Sequence, residues 1–249
     1  MMKSTIISTL FSALFLLVVL PCAANAYPVD TVEIVNTGLG ANELVSVWGG
    51  GMDGSAGGVY AGVYNLYKTD GSGEGKLWSN GTISGFCTEL SELAPEVTTK
   101  YSVIPLQDGP LSGAMGTKKA GYISELWGRY YDPSWGGSGS FNWLQDAKAA
   151  AFATAIWEIV YEDLPSTTKK WDVKFDGTAG AGGFYTDFGG ASLANSFLHS
   201  LDGTGPMANL RVFSYNGSQD YIAQIPEPTT IVLLGLGSLS LLRRKRKTN

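Results

Sequence analysis

Apolar and polar positions alternate with a period of two through the first 80 or so residues after position 30. In residues 31–36 (TVEIVN), Val32 and Ile34 share one face and Thr31, Glu33 and Val35 the other, the pattern of a half-buried strand. Residues 43–48 (ELVSVW) repeat it. Residues 59–67 (VYAGVYNLY) give the strongest strand signal, being rich in β-branched and aromatic side chains. Residues 82–90 and 100–106 follow. Glycine runs punctuate these segments, at Gly49-Gly50-Gly51, Gly57-Gly58 and Asp70-Gly71-Ser72-Gly73. Such runs supply the positive φ of tight turns. Residues 70–74 (DGSGE) carry acidic groups but lack the ligand spacing of an EF-hand, so they read as a hairpin turn.

The period then changes. Tyr122, Ile123, Leu126, Trp127 and Tyr130 recur at helical spacing, and Pro133 with Gly136-Gly137 ends that helix. A second helix is predicted over residues 143–161, with Asn142 as its cap and Gln145 in the reciprocal position of a capping box. Ala149, Phe152, Ile156, Ile159 and Val160 form its expected buried stripe, and Pro165 stops it. The remainder predicts a strand at 171–175, a glycine-rich loop at 177–183, a short helix at 193–201 and a last strand at 210–215. No long repeat and no obvious domain linker precedes Gln219. The expected fold is α+β, mainly β: one domain over residues 27–220, with a sheet or sandwich under two or three packed helices.

Both ends depart from this pattern. Residues 1–26 read as a Sec signal peptide, with Lys3 at the start, an apolar centre at 6–20 and Ala24-Asn25-Ala26 as a small-x-small cleavage site. Cys22 follows Pro21, which does not suit a lipobox, and cleavage after Ala26 removes it. Cys87 is then the only cysteine left, so an internal disulfide is impossible and the core must carry the stability. Of 17 Lys and Arg, one lies in the leader and five in the last seven residues, leaving 11 against 22 acidic residues between. A surface this acidic repels nucleic acid and anionic lipid.

Motifs of common catalytic sites are missing. The chain contains no CxxC, HExxH, GxSxG or P-loop pattern. Its single histidine, His199, sits beside Ser196 and Ser200 on the predicted short helix and reads as a structural residue. The acidic residues show no spacing that selects a glycosidase pair. No metal or cofactor is expected, and the chain reads as non-enzymatic.

The C-terminal stretch has three ordered parts: Pro226-Glu227-Pro228, an apolar run at 229–242 (TTIVLLGLGSLSLL), and the basic block Arg243, Arg244, Lys245, Arg246, Lys247. The run is shorter than the roughly 17–25 residues of a usual spanning helix. Snorkelling basic side chains and local bilayer thinning can cover the deficit. The basic block is expected to stop in the cytoplasm at the inner membrane. This order resembles the PEP-CTERM sorting signal of bacterial surface proteins, and Leu234-Gly235-Leu236-Gly237 matches its glycine-containing apolar run. The resemblance implies recognition by an exosortase, export and release or transfer to the cell surface, in company with exopolysaccharide synthesis. A buried C-terminal helix of a soluble domain is the alternative.

A second resemblance lies within the domain. Residues 86–90 (FCTEL) on a strand and 155–159 (AIWEI) on the second helix resemble a group of PEP-CTERM surface proteins and, more distantly, the thioester domains of bacterial adhesins. There a Cys thiol condenses with a Gln amide placed two residues before the AIW element. Here that position is Ala153. Gln145 lies eight residues earlier, roughly 12 Å along the axis. Cys87 therefore reads as a small buried hydrophobe, Trp157 as an anchor between helix and sheet, and Glu158 as a partner for nearby backbone. The leading expectation is a surface-sorted structural or matrix-associated protein. A carbohydrate-binding module is the alternative, motivated by the aromatics Tyr130, Tyr131 and Trp135 beside a glycine-rich loop.

Overall fold

The structure, a computed structural model, describes residues 30–50, 52–110, 112–175 and 183–227. The expected signal peptide, Pro228, the apolar run at 229–242 and the basic block at 243–247 lie outside these residues. Among the described residues no helix is long and apolar enough to cross a membrane.

The elements run in the order β1 (Thr31–Gly49), β2 (Met52–Ser72), β3 (Gly81–Cys87), β4 (Thr99–Pro105), α1 (Gly116–Tyr130), α2 (Trp143–Tyr161), β5 (Phe184–Asp187), α3 (Ala191–His199), β6 (Leu210–Tyr215) and β7 (Ser218–Gln224). The fold is α+β and mainly β, as the pattern predicts. One antiparallel sheet has the order β2-β3-β7-β6-β4-β1-β5. β1 also pairs with β2 along its length, so β1, β2, β3, β7, β6 and β4 close into a ring. β5 adds to the far end of β1, where Trp48 lies opposite Tyr185. Closure removes the exposed edges that an open sheet would present.

Two predicted strands, 31–36 and 43–48, are halves of one. β1 passes between them with register shifts at Asn36/Leu39 and Leu39/Asn42, and Gly38 at φ +126° sits where side chains are disfavoured. Gly49 and Gly50 stand at the expected turn, both at positive φ, and Gly51 lies outside the described residues. The 70–74 segment ends β2 and enters a short 3-10 turn, Gly73–Leu77, which leads into the antiparallel partner β3. Two predictions fail: Gly57-Gly58, expected as a break between strands, lie inside β2 opposite Val47 and Ser46, and residues 171–175 are not a strand. Trp171 and Val173 are buried, as the alternation suggests. The Val173 N–H donates to the Asn195 side chain at 2.9 Å and its carbonyl accepts from the Thr186 N–H at 2.7 Å, so local groups satisfy the backbone without a ladder.

The second helix has the predicted bounds. The Asn142 Oδ1 accepts from the N–H groups of Leu144 and Gln145 at 3.1 and 3.0 Å, and the Gln145 Oε1 accepts from the Asn142 N–H at 3.1 Å. Its burial differs from the expected stripe. Every residue from Ala149 to Val160 is buried, because β1 and β2 pack on one side and α1 and α3 on others. A helix apolar all round belongs in a core rather than on a surface. Beneath it, the Phe86 ring on β3 meets Phe152 at 4.8 Å and Trp127 at 5.4 Å between centroids. Such pairs add about 0.5–1.5 kcal/mol each beyond burial.

Candidate functional site

Two places bear on function: the Cys87–Trp157 junction inside the domain, and the chain end where β7 gives way to the prolines.

At the junction, successive residues of β3 point to opposite faces. Phe86 faces the helices, so Cys87 faces the interior of the ring, opposite Tyr221 on β7. The Tyr221 ring lies 5.4 Å from Tyr64 and 6.2 Å from Tyr101. The Trp157 indole N–H donates to the Cys87 carbonyl at 2.9 Å, so the tryptophan does join α2 to the sheet. The Glu158 carboxylate accepts the Asp172 N–H at 3.0 Å, the backbone role expected for it. Tyr161, one turn on, accepts the Leu90 N–H at 2.8 Å through its hydroxyl. Burial pushes the hydroxyls of Tyr64, Tyr101, Tyr161 and Tyr221 well above their usual range, so they stay protonated.

The thiol is passive in this setting. Cys87 is fully buried and its Sγ donates to the Glu89 carbonyl at 3.0 Å. Burial pushes its pKa up to about 12, so the nucleophilic thiolate is absent at neutral pH. Ala153 is buried on α2 and offers only a methyl group. Gln145 is held at the other end of α2 by its capping box, and its amide also donates to the Ser134 hydroxyl at 3.4 Å. The carboxamide that the fold does bring to Cys87 is one the sequence did not point to, Gln219 on β7. Its Nε2 donates to the same Glu89 carbonyl, at 3.2 Å. Only the β3–β7 pairing reveals this proximity.

With the thiol neutral and buried, no acyl link is expected to either glutamine. The purified chain should show the mass of its unmodified processed sequence. Cys87 should resist an alkylating reagent while folded and react once denatured. A deficit of about 17 Da, one ammonia, reversed by methylamine, would contradict this and point to Gln219.

Other reactive side chains are also committed to structure. His199 Nε2 bonds the Trp171 carbonyl at 2.8 Å, a role that requires the N–H tautomer. The fully buried Glu125 carboxylate accepts from Arg129 Nη2 at 2.7 Å and from the N–H groups of Asp202, Gly203 and Gly205 at 3.3, 2.7 and 3.1 Å.

At the chain end, β7 is a central strand between β3 and β6, and the sheet continues past residue 220 to Gln224. Two buried indoles hold that residue. Trp78 Nε1 donates to its carbonyl at 2.8 Å and Trp127 Nε1 to its side-chain oxygen at 2.8 Å. The Ile225 N–H adds a bond to the Asn209 carbonyl at 2.9 Å. Pro226 and Glu227 then emerge exposed. Proline has no N–H to extend the ladder and disfavours helix in the residue before it, so the ladder stops here and leaves Pro226 and Glu227 accessible. The PEP-CTERM protein-sorting motif matches residues 224–247. The chain carries an exosortase sorting signal. The PEP-CTERM match begins on the last residue of β7, so the signal starts where the last strand ends. It covers Pro226, Glu227, Pro228 and the basic residues 243–247, of which only the first two lie among the described residues. No curated protein and no solved structure matches the chain.

Proposed function

We propose that this exosortase substrate is a non-enzymatic structural protein of the extracellular matrix, exported across the inner membrane and associated with exopolysaccharide after release at the surface. The sorting motif at residues 224–247 carries the reading. The net acidity of the segment between leader and tail supports a soluble life outside the cell. The structural commitment of Cys87, Glu125 and His199 supports a scaffold rather than a catalyst. In this reading the domain is a closed barrel-like ring with a buried helix, built without disulfides.

Fractionating producing cells tests the reading. The processed protein should travel with the exopolysaccharide and be freed when that polymer is digested enzymatically. Purified protein mixed with the isolated polymer should leave its chain length unchanged. A processed protein found wholly in the culture fluid, or one that shortens the polymer, would contradict the proposal.

A further inference from the structure

A cleft of about 500 Å³ opens beside the chain end, within the usual size range of small-ligand sites. Its walls come from the β2–β3 connection, the outer part of β3, the segment after α1 and the first residues of the sorting signal. Half-buried Tyr131 supplies aromatic surface, while Trp78, 3 % exposed, forms the floor. Ser79, Thr82, Ser84 and Gln224 supply hydroxyl and amide groups, while the Asn80 carboxamide is held by Lys68 and the Thr69 carbonyl. Among the described residues lining it there is no Asp, Glu, Lys or Arg. The domain around it carries 21 acidic residues, the twenty-second being Glu227 of the sorting signal.

The floor and the aromatic side of the cleft are rigid. Trp78 packs edge-on to Phe213 at 5.0 Å and its indole N–H is held by Gln224. Tyr131 is half-buried and braced by Trp127 at 4.6 Å and Trp135 at 6.0 Å. Trp127 fixes the Gln224 carboxamide by its oxygen, which leaves the amide nitrogen as the group with donors to offer. A neutral sugar presents C–H faces that pack on aromatic rings and hydroxyls that both donate and accept. A polyanion would find no exposed cation in the walls, since Lys68 behind Asn80 is buried and donates to the Asn80 Oδ1 at 2.7 Å, and a cation would find no carboxylate among the lining residues.

We infer that this cleft is a binding site for an uncharged saccharide. The inference rests on the matrix reading for its biological setting, but its chemistry stands on the cleft. Because Pro226 forms part of the wall, the bound sugar would sit at the point where the chain leaves the domain.

The test uses the full chain purified in detergent. Cellotetraose, laminaritetraose, maltotetraose and mannotetraose serve as neutral probes and tetragalacturonate as an anionic one, each titrated by calorimetry. At least one neutral probe should bind, and tetragalacturonate should not. Thr82 is exposed on β3, so Thr82→Arg should leave the thermal midpoint nearly unchanged while weakening binding at least tenfold. Ser79→Arg at the same cleft should act alike. Leu93→Arg, on an exposed loop that does not line the cleft, should bind as the parent does. Binding of no neutral probe, equal binding of the anionic probe, or binding that survives both cleft substitutions would overturn the inference. Processing at the sorting signal is read separately by mass, so failure here would leave the sorting assignment standing.

Discussion

Replacing Trp157 with alanine is expected to lower the unfolding free energy by about 3–5 kcal/mol, the usual cost of deleting a large buried aromatic side chain. A domain of this kind has only about 5–15 kcal/mol in total, so the variant should be close to unfolded at elevated temperature. The ring is 1 % exposed, lies edge-on to Phe184 at 6.1 Å and donates to the Cys87 carbonyl. Its loss would open a cavity between α2 and the sheet and remove a side-chain bond that ties the helix to β3. Trp157→Phe separates the two effects. It keeps most of the apolar volume and loses the hydrogen bond, so it should cost about 1–3 kcal/mol. Urea unfolding followed by far-ultraviolet circular dichroism measures both. A change below about 1 kcal/mol for Trp157→Ala would mean that the helix does not seat its tryptophan against β3.

The buried helix was legible in the sequence because its signals are local. Asn142 and Gln145 fix the start, Pro165 follows the end, and the apolar residues between leave little choice. What the sequence hid depends on partners distant in the chain. β7 (SQDYIAQ) shows no alternation because it is central in the ring and buried on both faces, with Ser214 and Tyr215 satisfying Asp220. The short strand β5 exists only because the far end of β1 offers it an edge. Conversely, residues 171–175 alternate like a strand but lack a neighbouring ladder. Side chains and single backbone bonds hold them instead.

The same division holds at the candidate sites. The sorting signal is legible because its recognition rests on contiguous residues. The Cys87 environment is not, since Gln219 and the tyrosines reach it only through strand pairing. Ring closure is of the same kind: nothing local in residues 31–34 announces that they pair with β2 on one side and β4 on the other.

The central claim is that residues 226–228 direct exosortase processing. Pro226 and Glu227 are exposed just beyond the last sheet bond, and Glu227 is the only acidic residue between 224 and 247. Changing Pro226, Glu227 and Pro228 together to alanine alters no buried contact among the described residues, so the thermal midpoint of the domain should hold. The alanines would restore backbone N–H groups and remove both the stiffness and the charge. In cells with an active exosortase, the parent should yield a surface or released form that lacks the apolar run and the basic block. The triple variant should keep the mass of the leader-cleaved precursor and stay with the inner membrane. The decisive measurement is the intact mass of the protein recovered from each fraction. A shortened parent beside an uncut variant is the predicted result, and an identical mass and location for the two proteins would contradict the account.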